Sequence, residues 1–143
     1  MTKLSVTHVA GDRFEIQVRG SDQGPTPTEL FVGSLAACVA YYAGRFLARH
    51  DIDPGGLRVD AGFSMSANRP ARVDAIDLRL VVDEPLTPTR RKALLAVVDH
   101  CTVHNSIRIQ PDVHITLTSA VPSARKIDRL FMVTASFALT PRQ

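Results

Sequence analysis

Between Thr26 and His50 the chain writes a single long helix, and the remaining segments must be arranged around it. Thr26 can cap it, Pro27 suits the first helical position, and Glu29 completes the Thr-x-x-Glu pattern of a capping box. The stretch from Leu30 to Gly44 is 15 residues without a charge. It is apolar on nearly every side, so it is expected to be buried all round rather than to lie on a surface. A bilayer span needs roughly 20 such residues, so this run predicts a core helix. The run is also rich in small residues: Gly33, Ser34, Ala36, Ala37, Ala40, Ala43 and Gly44. Residues without bulk allow backbones to approach closely, and the expected neighbour is another helix.

Strand patterns flank this helix. Arg13 to Val18 alternates polar and apolar, and Leu4 to Val9 is its expected partner across a Gly11-Asp12 turn. After the Asp53-Pro54-Gly55-Gly56 turn, Leu57, Val59, Ala61, Phe63 and Met65 alternate with polar or small residues. Ile76, Leu78, Leu80 and Val82 alternate again beyond Asn68-Arg69-Pro70, which predicts an antiparallel pair with one covered face. Thr87-Pro88 starts a second helix. Its stripe is Ala93, Leu94, Val97, Val98 and Cys101, and it is expected to end near His100–His104. Ile107, Ile109, Val113, Ile115 and Leu117 then read as one or two further strands. Strands, buried helix, strands, amphipathic helix and strand in that order make an α+β fold. The expected division is one domain over residues 1–118 and a tail over 119–143.

Composition excludes several classes. With 143 residues, the chain suits one domain with its own core. Hydrophobic residues at 45% and charged residues at 22% exclude disorder, and two cysteines exclude a disulfide scaffold. The net charge of +3 comes from scattered residues, with Arg90-Arg91-Lys92 and Arg125-Lys126 the densest groups. Neither a basic stripe nor a nucleic-acid motif is present, so no nucleic-acid partner and no membrane partner are expected. Residues 1–7 lack a signal-peptide core, and the expected compartment is the cytoplasm.

Chemistry centres on the two cysteines, Cys38 in the long helix and Cys101 at the end of the second. They can be two buried structural thiols, since free Cys is among the most buried residues. They can equally be a redox pair in which one thiolate reacts and the other resolves, which suits a reducing compartment. A thiolate is favoured by positive neighbours. Arg13, Arg19, Arg45 and His100 are the available cations, and Arg13 and Arg19 share one strand face. Glu29 is the natural carboxylate to hold an Arg, although a capping-box Glu needs no other task. Glu29 and Cys38 lie nine residues apart. On one helix that is about 13–14 Å and half a turn out of phase. Either an Arg bridges them or a second subunit completes the site. The small-residue helix suits a tight two-fold contact, so a homodimer is expected. His100, Cys101 and His104 do not share one helix face, which argues against a metal set with Cys38. His8, His50 and His114 read as surface or strand residues, and no cofactor motif occurs.

Two motifs carry a family resemblance. Gly24-Pro25-Thr26-Pro27-Thr28-Glu29-Leu30-Phe31-Val32-Gly33-Ser34-Leu35-Ala36-Ala37-Cys38 resembles the central-helix motif of the OsmC/Ohr family, the osmotically inducible and organic hydroperoxide resistance proteins. His100-Cys101-Thr102-Val103-His104 resembles its second cysteine motif, with Thr102 where many relatives carry Pro. The spacing of 63 residues between the cysteines also suits that family, and the likeness extends over roughly residues 3–118, on the OsmC-like side. The resemblance implies antiparallel sheets wrapping central helices in an intertwined homodimer. It implies a thiol peroxidase acting on organic hydroperoxides, with a dithiol reductant and no cofactor. It further implies that Cys38 is the peroxidatic cysteine and Cys101 the resolving one. Glu29 would hold an Arg from the N-terminal strands, Arg13 in first place and Arg19 in reserve. The alternative is a redox-sensing or ligand-binding protein of the same fold without efficient turnover.

Overall fold

The structure is a computed structural model and describes residues 2–11, 13–18 and 24–118. Arg19 and the tail from residue 119 lie outside the described residues. The chain groups into one unit ending at Pro111 and a second beginning at Asp112.

The first unit is built on four antiparallel strands, β1 (Thr2–Ala10), β2 (Arg13–Val18), β3 (Arg58–Met65) and β4 (Val73–Val81), in the order β2-β1-β3-β4. The expected hairpins β1–β2 and β3–β4 both form. Between β1 and β2, Gly11 takes φ of 56°, the left-handed conformation that a tight turn asks of glycine. The hairpins are joined by β1 pairing with β3, with Leu4 opposite Ala61 and Val6 opposite Val59. This register aligns Val18, Leu4, Ala61 and Leu78 in one row and Ile16, Val6, Val59 and Leu80 in the next. Period-2 alternation thus yields one continuous apolar face.

Helix α1 (Pro27–Arg49) lies on that face. The capping box is formed: the Glu29 amide donates to Thr26 Oγ1 (3.3 Å) and the Thr26 amide to Glu29 Oε2 (2.7 Å). By length and composition α1 could cross a membrane, but half of its apolar stretch is buried inside the fold. It is not buried all round. Val32, Leu35, Ala36, Val39, Ala40, Ala43 and Leu47 face inward, whereas Leu30 and Phe31 are 49% and 44% exposed. A single sheet and two short helices cannot enclose a 23-residue rod. Two of the small residues face side chains outside the helices: a Cβ on Gly33 would sit 3.4 Å from the Ile16 side chain in β2, and one on Gly44 3.5 Å from that of Leu57.

Helix α2 (Pro88–Asp99) is capped by Thr87 as expected; of its stripe Leu94, Val98 and Cys101 are buried, whereas Ala93 and Val97 are exposed. It stops before Cys101. His100 caps α2, Cys101 turns extended (φ −65°, ψ 152°), and a separate helix, α3 (Thr102–Arg108), follows. Ile107 therefore lies in a helix and Ile109 at its end, where strand was expected. Side chains of α3 turn back to hold the end of α2: His104 Nδ1–H donates to the Asp99 carbonyl (2.8 Å) and Asn105 Nδ2 to the His100 carbonyl (3.1 Å). Those carbonyls have no partner within α2, and local side chains satisfy them. In the second unit, residues 112–118 form no helix or strand, so the strand expected at Val113, Ile115 and Leu117 is not formed.

A candidate dithiol site

Cys38 projects from the middle of α1, and Cys101 occupies the break between α2 and α3. The fold brings them together across 63 residues of sequence: Cys101 belongs to the buried core, Cys38 packs against that core, and the Cys38 side chain bears electrostatically on the Cys101 thiol. Both thiols are free. Cys101 has no exposed surface, whereas Cys38 is half-buried, so only the latter offers a path from solvent.

Electrostatics separate the two further. Burial pushes the Cys101 thiol above its ordinary 9.0. The Cys38 side chain raises it again, both as hydrogen-bond partner and as a like charge. The Val103 and His104 amides in the first turn of α3 oppose this, and the net direction is upward. Cys101 thus holds its proton more firmly than a free thiol does.

The interhelical contact has a second point of attachment. One turn beyond Cys38, the Tyr42 hydroxyl hydrogen-bonds Thr102 Oγ1 at 3.1 Å. Neither Tyr42 nor Thr102 is among the catalytic candidates that the sequence offers. The signal was present: Tyr42 is four residues after Cys38, and Thr102 directly follows Cys101. On the same helix, Arg45 Nη1 donates to the Tyr41 hydroxyl (3.0 Å) and its guanidinium packs over the Tyr41 ring.

Glu29 and Arg13 are not part of this contact within one chain. Glu29 is buried at the start of α1, where its carboxylate completes the capping box. Arg13 is exposed at the start of β2. Among the described residues no ion pair joins them; the ion pairs present are Arg58–Asp60, Arg72–Asp74, and His104 and Arg108 with Asp99.

Two grooves open beside the dithiol helix. The smaller, about 400 Å³, is lined by Phe31, Leu35 and Val39 of α1, Ile76 and Leu78 of β4, and His104 and Ile107 of α3. The larger, about 1150 Å³, runs along β4 and α2 and shares Val39, Leu78 and His104 with it. Neither is lined by a cysteine; the smaller groove takes Phe31, Leu35 and Val39 from the helix that carries Cys38. Among the described residues, no three His, Cys, Asp or Glu side chains stand together as metal ligands.

Residues 20–117 match the family model described as OsmC-like protein. An OsmC-like hydroperoxide resistance protein from Jannaschia sp. CCS1 shares the fold at a TM-score of 0.61 and 14% identity, with 83% of this chain and 94% of that one covered. A protein from Psychrobacter arcticus 273-4, described as an osmotic stress induced and detoxification response protein, gives a TM-score of 0.57 at 25% identity. There 77% of this chain and 82% of that chain are covered. No curated protein matches the chain.

Proposed function

Because the chain belongs to the family of OsmC-like proteins, we propose that it is a cysteine-based peroxidase reducing organic hydroperoxides to alcohols. One observation carries the reading: two free thiols, remote in sequence, are packed into one core where α1 meets the start of α3, one half-buried and one sealed. The shared fold with a hydroperoxide resistance protein supports the class of substrate.

Cys38 attacks as thiolate at the terminal oxygen of the hydroperoxide. The O–O bond breaks, the alkoxide leaves and takes up a proton as alcohol, and Cys38 becomes a sulfenic acid. Cys101 then gives up its proton and attacks the Cys38 sulfur. The S–S bond forms, the S–O bond breaks, and hydroxide leaves with that proton as water. A dithiol returns two electrons and two protons. The raised Cys101 pKa supports this division of labour, because a second thiolate beside Cys38 is disfavoured by burial and by like charge. The apolar walls of the smaller groove suit an alkyl chain better than hydrogen peroxide.

Activation of Cys38 calls for a cation. Glu29 and Arg13 are unjoined in one chain, so the proposal places Arg13 of the partner subunit beside Glu29 in a homodimer. Exposed Leu30 and Phe31 supply apolar surface for that contact. Two free thiols suit a reducing compartment such as the cytoplasm.

Mass spectrometry after one equivalent of cumene hydroperoxide tests the reading. A loss of two hydrogens, mapped to a Cys38–Cys101 bridge, is expected. Cys38→Ser is expected to be inactive and Cys101→Ser to complete one turnover; undiminished activity in Cys38→Ser defeats the assignment. The unjoined Glu29 and Arg13 favour a second reading, redox sensing, in which the bridge forms once and no dithiol restores multiple turnover.

A further inference from the structure

The dithiol contact depends on how a short helix is held. Helix α3 has seven residues and fully buries none of them, with Val103 its part-buried contact to the core. Its start is Cys101, whose sulfur must come within bonding distance of Cys38 in every catalytic cycle. Disulfide geometry is narrow, with Cα atoms about 4.4–6.8 Å apart and a restricted S–S torsion. A helix end free to drift satisfies that requirement for only part of the time.

We infer that Tyr42 and Thr102 form a clasp that positions Cys101 for attack on Cys38, an inference that rests on the dithiol reading above. The Tyr42–Thr102 bond joins α1 to α3 at 3.1 Å. On α1 it attaches one turn after Cys38, and on α3 it attaches at the residue following Cys101. The sulfur contact and the clasp therefore fix two points of one interface. Two points set both the spacing and the rotation of the start of α3 relative to α1. The other side-chain bonds of α3 act differently. His104, Asn105 and Arg108 reach Asp99 and His100 at the end of α2, and Ser106 Oγ donates to the Thr102 carbonyl within α3. They tie α3 to α2 and to itself, and none ties it to the helix that carries Cys38.

Tyr42 and Thr102 are positioning residues and take no part in bond making. Their hydroxyls act on the second chemical step alone. Cys38 sulfenic acid still forms without the clasp. Closure of the S–S bond, with loss of the sulfenic oxygen as water, is then slowed.

Tyr42→Phe and Thr102→Val each remove one hydroxyl at nearly constant shape, and Thr102→Ser keeps the hydroxyl. The first measurement is the equilibrium between dithiol and disulfide in a glutathione redox buffer, which uses no peroxide. A hydrogen bond of this kind contributes about 0.5–1.5 kcal/mol, so either removal is expected to lower the effective concentration of the thiol pair by about twofold to tenfold. Thr102→Ser is expected to match the parent. The double variant is expected to lose no more than either single one, as two ends of one bond require. The second measurement is single turnover with cumene hydroperoxide. Peroxide is expected to be consumed at the parent rate while the sulfenic acid, trapped with dimedone, accumulates in Tyr42→Phe and Thr102→Val. Unchanged redox equilibria in both variants, or additive losses in the double variant, overturn the clasp. A parent protein that equilibrates with glutathione yet ignores peroxide overturns the peroxidase reading and leaves the clasp standing.

Discussion

At the residue scale, the chemistry turns on the different surroundings of two identical side chains. Cys101 is sealed and its thiol titrates above 9.0, first because burial disfavours the anion and then because Cys38 is beside it. The consequence for stability has a definite sign. An acid whose folded pKa is raised keeps its proton in the native state after the unfolded chain has lost it, so its contribution is full below about 9 and is lost as pH rises further. Urea unfolding of wild type and Cys101→Ala is therefore expected to differ by a constant amount up to about pH 8.5, with the gap narrowing above pH 9. Glu29 poses a different question, since its carboxylate serves the capping box whatever else it does. Gln also fits a capping box, so Glu29→Gln is expected to shift stability by less than about 0.5 kcal/mol. If Glu29 holds an Arg in the dimer, the same variant loses about tenfold or more in the peroxidatic rate, because a neutral amide does not replace a bidentate carboxylate. Thr26→Ala is the complement, costing about 1 kcal/mol of stability through the cap with the rate retained.

At the element scale, α1 is at once core and site. Its inward face is buried against a sheet whose rows are set by register, and Leu47 has no exposed surface. Leu47→Ala is expected to cost about 2–5 kcal/mol in urea unfolding, the range for a large buried side chain whose space cannot collapse. The ion pair Arg58–Asp60 stands on the solvent side of β3, with side chains 47% and 33% exposed. Replacing both by Ala is expected to change stability by less than about 1 kcal/mol, since water screens the pair. The break between α2 and α3 matters more to function than its length suggests. A helix continuing through Cys101 would place that side chain by the periodicity of α2. The extended conformation at Cys101 instead frees it to meet α1, and His104 and Asn105 cover the carbonyls that the break exposes.

At the scale of the whole molecule, one chain leaves apolar surface on the helix that carries Cys38. Leu30 and Phe31 stand half-exposed on α1, and Phe31 lines the smaller groove. A second copy covering that region would complete the proposed site with Arg13 of the partner subunit. Sedimentation equilibrium is expected to give twice the chain mass for the parent, and Phe31→Glu to shift the mass toward one chain by placing a charge in an apolar contact. A parent protein that sediments as a single chain, yet turns over hydroperoxide, removes the partner from the mechanism.

Much of this was legible along the chain because it depends on neighbours in sequence. Thr26 through Glu29 carry their own capping geometry, alternation in Arg13 to Val18 reports a half-buried strand, and Thr87-Pro88 starts a helix wherever it is placed. The motifs around Cys38 and Cys101 likewise marked the two sulfurs as a pair. What lay beyond sequence is what depends on partners distant in the chain. The pairing of β1 with β3, the Ile16 side chain against Gly33 and the bond from Tyr42 to Thr102 each follow from long-range packing. Local propensity is a sum over a few adjacent residues, whereas a contact between α1 and α3 exists only once the sheet, α1 and α2 have been assembled together. Residue order alone therefore determined where the two hairpins, α1 and α2 begin, and the tertiary structure decided that α3 follows in place of a strand and that α1 meets it.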